Sequence, residues 1–174
     1  KDLPVNENNV NNPPSFWALH KLYSEEYLRY FSKNYGFSTI SLRLSNVYGP
    51  INRLDYFNKI ILNKIIFLAY TNNIIYYFKN YKCIRDFIYI DDVIQAFLLT
   101  CKIDKKYFDG RHFVIGSGEG KKIIDVWKRI GSLVGNVVIK KKLDINVNLA
   151  EKRNFYSDSY KFKKLTSWDS NINL

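Results

Sequence analysis

Trp17 and Lys21, four residues apart, sit in the stretch Phe16 to Asn46 around which the rest of the chain is organised. The ammonium of Lys21 carries three hydrogen-bond donors, whereas the Trp17 indole carries one and cannot act as a base at neutral pH. Three more polar positions stand where chemistry is possible. Asn46 lies in Ser45-Asn46-Val47-Tyr48-Gly49-Pro50, Arg85 in Arg85-Asp86-Phe87-Ile88-Tyr89-Ile90-Asp91-Asp92-Val93, and Arg153 in Glu151-Lys152-Arg153-Asn154. An amide serves both donors and acceptors, and a planar guanidinium presents paired donors to anionic oxygens. Plainer readings stand beside these: Lys21 as a solvated lysine, Asn46 as a turn residue, and Arg85 as the partner of Asp86 or another nearby carboxylate.

One further pattern invites a cofactor reading. Gly116-Ser117-Gly118-Glu119-Gly120 follows an apolar run and precedes a helical one, but its spacing is G-x-G-x-G and not G-x-G-x-x-G. About twenty residues on, where an acidic ribose ligand belongs, the chain reads Val138-Ile139-Lys140. A tight turn is the expected role.

The elements that must position these residues follow from period and punctuation. Ser15 caps a helix after Pro13 and Pro14, with Phe16, Leu19, Tyr23, Tyr27 and Tyr30 as its apolar seam and Gly36 as its stop. Thr39 to Leu44 alternates as a strand and runs into the Asn46 loop. Helical spacing covers Ile51 to Tyr70 around Phe57, and a short strand covers Ile74 to Phe78. Bulky residues fill the turn Lys79 to Cys83. Arg85 to Ile90 reads as a strand, and Asp91 as the cap of a helix that buries Val93, Ala96, Phe97 and Cys101. His112 to Ile115 is a strand, and Ile123, Trp127, Ile130 and Val134 line a helix ended by Gly135. A strand over Val137 to Lys141 and a short helix capped by Asp158 or Ser159 complete the pattern. Strands alternating with helices, without repeats, make this an α/β chain.

Composition narrows the function classes. With 174 residues, 47% of them apolar and 17% aromatic, the chain can bury a core. Its net charge of +11 raises a nucleic-acid or membrane-surface partner. Lysine outnumbers arginine 20 to 7, however, and Lys, Asn, Ile, Tyr and Phe are inflated together, as AT-rich codon usage produces. No nucleic acid and no membrane is therefore expected as partner. The most apolar run, Ile60 to Tyr70, is broken by Asn63 and Lys64 and is too short to span a bilayer. The polar N-terminus does not read as a signal peptide. Cys83 and Cys101 lack C-x-x-C spacing, and His20 and His112 lack partners at metal-ligand spacing, so no metal site is expected and a cytoplasmic location is.

Helix, glycine, strand and Asn-x-Tyr-Gly-Pro, followed by the Arg85 to Val93 string, closely resemble the extended short-chain dehydrogenase/reductase family. Its members include the NAD-dependent nucleotide-sugar epimerases and dehydratases, and the resemblance is to their C-terminal part. It implies a partial Rossmann-type parallel sheet with a smaller substrate-binding α/β domain. Residues 1–50 would end the NAD-binding domain and 51–174 would form the substrate-binding region, with 84–102 returning to the Rossmann sheet. The N-terminal NAD-binding half, with its phosphate loop, is expected to lie outside this chain, as a separate partner. The cofactor implied is NAD and the substrate a nucleoside diphosphate sugar, handled by hydride removal and return as in a UDP-glucose 4-epimerase, in a protein that is a homodimer when complete.

By the same resemblance Lys21 is the lysine of the family's Tyr-x-x-x-Lys pair, holding the nicotinamide ribose and lowering the tyrosine's pKa. Trp17 occupies the tyrosine's place. Asn46 is implied to meet the sugar or diphosphate, and Arg85 and Arg153 the diphosphate. The departure at Trp17 leads to an expectation of a truncated form with impaired catalysis, the alternative being a non-catalytic nucleotide-sugar-binding or dimerisation remnant.

Overall fold

Local chemistry sets the first helix. Ser15, in extended backbone, accepts a hydrogen bond from the Ala18 amide (3.2 Å) and starts α1 (Phe16–Tyr35). Gly36 ends it at φ 71°, a left-handed conformation that glycine adopts without a Cβ clash. The computed structural model describes residues 3–51, 60–77, 82–141 and 153–174. After α1 come β1 (Ser41–Leu44), β2 (Asn46–Tyr48), α2 (Ile61–Asn72), β3 (Ile74–Tyr77), β4 (Ile84–Tyr89) and α3 (Ile90–Thr100). Then follow β5 (His112–Ile115), β6 (Gly120–Lys122), α4 (Ile123–Val134), β7 (Val138–Lys141) and α5 (Tyr160–Thr166).

The described residues form three small sheets. β1 pairs with β5 in parallel, Ser41 opposite His112 and Leu44 opposite Ile115. β4 is flanked by β2 in parallel and β6 antiparallel, and β3 pairs with β7 in parallel. The α/β class and the parallel pairing agree with the sequence reading. The strand read over Arg85 to Ile90 starts one residue early, at Ile84, ends at Tyr89 and lies between β2 and β6.

Two apolar cores form. Leu62, Ile65 and Ala69 of α2 meet Ile75 of β3, Phe87 of β4 and Val126, Trp127 and Ile130 of α4. On the other side Ile88 of β4, Val93 and Ala96 of α3, and Phe113 and Ile115 of β5 enclose Phe162 and Trp168. Alternation along β4 sends adjacent side chains to opposite faces, so Phe87 serves one core and Ile88 the other.

Several expectations are corrected. No residue of α1 is buried; its aromatic seam faces outward, with Phe16 73% and Tyr27 66% exposed. The face toward the body is polar: Glu25 pairs with Arg43, and the Ser32 hydroxyl donates to the Phe108 carbonyl. Asp91 is not a cap, since Tyr89 holds the cap position of α3 and Asp91 and Asp92 fall in its first turn. Phe97 and Cys101 are exposed while Val93 and Ala96 are buried. The glycine run leads into β6 before α4, a strand too short to leave a periodic signature. α2 begins at Ile61, and Phe57, the Lys79 to Tyr81 part of the bulky turn, and Glu151 and Lys152 lie outside the described residues.

Candidate functional site

Arg43 organises the first cleft. Its guanidinium grips the Glu25 carboxylate bidentately, from Nε at 2.9 and 3.1 Å and from Nη2 at 2.6 Å, and its Nη1 donates to Asn11 Oδ1 at 2.7 Å. A β1 side chain thus fixes α1 and the loop before it at once. Between them opens a cleft of about 250 Å³ lined by Trp17, Lys21, Glu25, Arg43 and residues 11–14. Lys21 Nζ lies 5.6 Å from the centre of the Trp17 ring, within cation–π range, and Trp17 is 71% exposed. The cleft offers an ammonium for ribose hydroxyls, which fits the nicotinamide end of a dinucleotide. It offers no base at Trp17.

Asn46, Arg85 and Arg153 converge on β4. Asn46 Nδ2 donates to the Asp86 carbonyl at 2.8 Å, a contact set by the register that places Asn46 opposite Phe87. Arg85 Nη1 donates to the Ile84 carbonyl at 2.9 Å and to the Arg153 carbonyl. Arg153 Nη1 in turn reaches the Asn12 carbonyl at 3.5 Å, and Leu3, Asn12, Arg153 and Asn154 line a second cleft of about 450 Å³. Asn12 lines both clefts, so one loop separates Trp17 and Lys21 from Arg153. All five sequence-predicted positions are described, and the two arginines are in direct contact through backbone.

Sequence reasoning weighed Asp86 only as a partner for Arg85. Its carboxylate is fully buried and bonded elsewhere. Oδ1 accepts from Ser117 N (3.0 Å), Ser117 Oγ (2.7 Å) and Ser45 Oγ (3.3 Å). Oδ2 accepts from Ser157 N (3.0 Å), Gly118 N (3.3 Å) and the Ser157 hydroxyl. The Ser117 and Gly118 amides of the glycine turn are thereby taken up by the Asp86 carboxylate. A charged residue inside the apolar run of β4, with two serine-rich segments elsewhere, was the available signal. Asp92 is a second buried carboxylate: it accepts from the Asn171 and Ile172 amides at 3.1 and 3.2 Å, while its carbonyl accepts from Trp168 Nε1 at 3.0 Å.

Near β5, Glu7 Oε1 accepts from the Val114 amide at 2.9 Å. Glu7 Oε2, Ser41 Oγ and His112 Nε2 are buried without a hydrogen bond. Burial, and then the charge of Arg43, hold His112 below the usual imidazole pKa. Burial, followed by the Asp92 and Tyr89 charges, raises the Tyr48 phenol. Among the described residues no group of three His, Cys, Asp or Glu could hold a metal ion, and no helix is long and apolar enough to cross a membrane.

Known proteins resemble this chain in sequence and in fold. A reductase of Escherichia coli, dTDP-4-dehydro-6-deoxyglucose reductase, is 37% identical over 133 residues, covering 71% of this chain and 39% of that protein. The UDP-glucose 4-epimerase of Mycoplasma genitalium is 27% identical over 92% of this chain and 58% of its own length. Among solved structures, UDP-glucose 4-epimerase from Thermotoga maritima with UDP-glucose superposes with a TM-score of 0.79 at 24% identity, over 95% of this chain and 54% of that one. RMD from Pseudomonas aeruginosa, complexed with NADPH, gives 0.80 at 19% identity over 98% and 56%. These structural likenesses establish a shared Rossmann-type fold, and the chain spans about half the length of the proteins it matches. The sequence profile of the NAD dependent epimerase/dehydratase family matches residues 2–116, the span that carries Trp17, Lys21, Asn46 and Arg85, and the chain belongs to that family.

Proposed function

We propose that this chain supplies the substrate-binding part of an NAD-dependent nucleotide-sugar epimerase or dehydratase, of the UDP-glucose 4-epimerase kind, with its catalytic base replaced. The observation that carries the reading is the convergence of Asn46, Arg85 and Arg153 on β4, one loop away from Lys21. Two guanidinium groups suit a diphosphate, and an amide suits a sugar hydroxyl. In this reading residues 1–50 close the cofactor domain, 51–174 form the substrate region, and 84–102 rejoin the cofactor domain, which the packing of Ile88, Val93 and Ala96 with Ile40, Leu42 and Val47 supports.

Lys21 would hold the nicotinamide ribose of NAD, which when bound would supply the hydride chemistry. The accompanying hydroxyl proton needs a base, and Trp17 has none to offer, so turnover is impaired while binding persists. The exposed aromatic face of α1 and the open edge of β1 suit a preceding cofactor-binding half and, in the complete protein, a homodimer. The exposed indole also favours a second reading, a nucleotide-sugar-binding remnant without catalysis. Cys83 and Cys101 are present as thiols and not as a disulfide, which suits a reducing cytoplasm.

Titration calorimetry with UDP-glucose tests the binding common to both readings. Arg85→Ala should weaken affinity by about 2–3 kcal/mol, the cost of losing a charge-assisted contact, or roughly 30- to 150-fold. Equal affinity of wild type and variant refutes a diphosphate role for Arg85.

A further inference from the structure

Three segments far apart in sequence meet on one buried carboxylate. Ser45 comes from the β1–β2 junction, Ser117 and Gly118 from the loop before β6, and Ser157 from the strap before α5. Two of them carry residues of the proposed substrate site. Ser45 precedes Asn46, whose side chain is held by the carbonyl of the same Asp86. The strap carries Arg153, and it is laced to β4 by Phe155 N to Ile84 O (3.0 Å) and Ile84 N to Asn154 Oδ1 (3.0 Å). Arg85, next to Asp86, donates to the Arg153 carbonyl.

We propose that Asp86 is the positioning residue of the nucleotide-sugar site: its six hydrogen bonds hold Asn46, Arg85 and Arg153 at the spacing a diphosphate sugar requires. This rests on the substrate reading given above. The donor set explains why a carboxylate stands there. Three backbone amides and three hydroxyls converge on two oxygens, and an ionised carboxylate is acceptor-only with about four lone-pair sites. An asparagine would turn N–H groups toward amides that cannot become acceptors. Gly116 belongs to the same device. A Cβ there would lie 2.5 Å from Asp86 Oδ2 and closer still to Ser157 Oγ, so the loop can approach the carboxylate only without a side chain. A site of this kind tolerates errors of only about 0.5 Å, so loosening its supports acts on affinity before any contact residue changes.

Asp92 supplies the internal control. It is as buried as Asp86 and also clamps the C-terminal segment, yet its partners Asn171 and Ile172 adjoin none of the site residues. The experiment compares Asp86→Asn and Asp92→Asn with wild type by UDP-glucose calorimetry and by amide hydrogen exchange. Asp86→Asn should weaken UDP-glucose binding more than tenfold and deprotect the Ser117, Gly118 and Ser157 amides, whereas Asp92→Asn should leave the affinity within about twofold. If Asp86→Asn does not fold, Ser157→Ala removes one hydroxyl while keeping the carboxylate, and should weaken binding by a smaller factor in the same direction. An Asp86→Asn affinity equal to wild type, or an equal loss in Asp92→Asn, overturns the proposal. Should wild type fail to bind UDP-glucose, the substrate reading falls and the positioning proposal with it, whereas a wild type that binds beside an Asp86→Asn that binds equally well overturns the positioning proposal alone.

Discussion

Gly116→Ala is the most informative single methyl group to add to this protein. The position needs no special backbone freedom; what it lacks is room. An added Cβ would press on Ser157 Oγ and sit 2.5 Å from Asp86 Oδ2 and 2.9 Å from Ser45 Oγ, so the strap must retreat from the carboxylate. Ser157 contributes two hydrogen bonds to that charge, and bonds to charged groups are worth about 1.5–3 kcal/mol each. The Ser159 hydroxyl, bonded to both the amide and the carbonyl of Gly116, would shift as well. Loss of the two Ser157 bonds predicts a destabilisation of about 3–6 kcal/mol, a large part of the roughly 5–15 kcal/mol that holds a domain folded. Gly36→Ala provides the scale: nothing lies within 4 Å of its Cβ, and only the left-handed φ of 71° is strained, for about 1–2 kcal/mol. Urea denaturation followed by tryptophan fluorescence measures both. The double variant Gly116→Ala/Ser157→Ala should be more stable than the sum of its single effects, because removing the hydroxyl relieves the closest overlap. A Gly116→Ala cost no greater than that of Gly36→Ala, or strict additivity in the double variant, would refute the steric argument.

Two further outcomes are expected. When a family cofactor-binding half is fused to this chain, Trp17→Tyr should raise turnover on nucleotide sugars by roughly 10²- to 10⁴-fold, the usual worth of a general base; comparable turnover with Trp17 in place would mean another group takes the proton. His112 is held neutral by burial beside Arg43 and Arg29, with Glu25 and Glu7 opposing, so its folded pKa lies below the ordinary 6.5. The unfolded chain then binds the extra proton first, and stability should decline as pH falls below about 6.5. His112→Gln should flatten that slope, and an unchanged slope would assign it to other groups.

What could be read in advance was what neighbours in sequence decide. Ser15 and Gly36 bound α1 at the residues expected, and the four residues of β5 were legible from their apolar run. The α/β class with parallel strands also fits the pattern recognised in the sequence. Long-range choices were not legible. The Asp86 cradle joins residues 31, 41 and 71 positions away, and no local period marks such a convergence. The seam of α1 has helical spacing, but spacing says nothing of which stripe a body will cover; here Glu25 and Ser32 face it and the rings do not. β6, at three residues, is below the length at which alternation can be distinguished from chance.

The alternation of β4 has a consequence for how the molecule comes apart. Phe87 and Ile88 are consecutive residues on one strand, and each is a wall of a different apolar core. Displacing the strand far enough to wet one core drags the other open, so the two lobes should share a single cooperative melting transition and not two staggered ones. A destabilising change in α4, on one side, should then be felt as faster global opening by amides of α3 on the other.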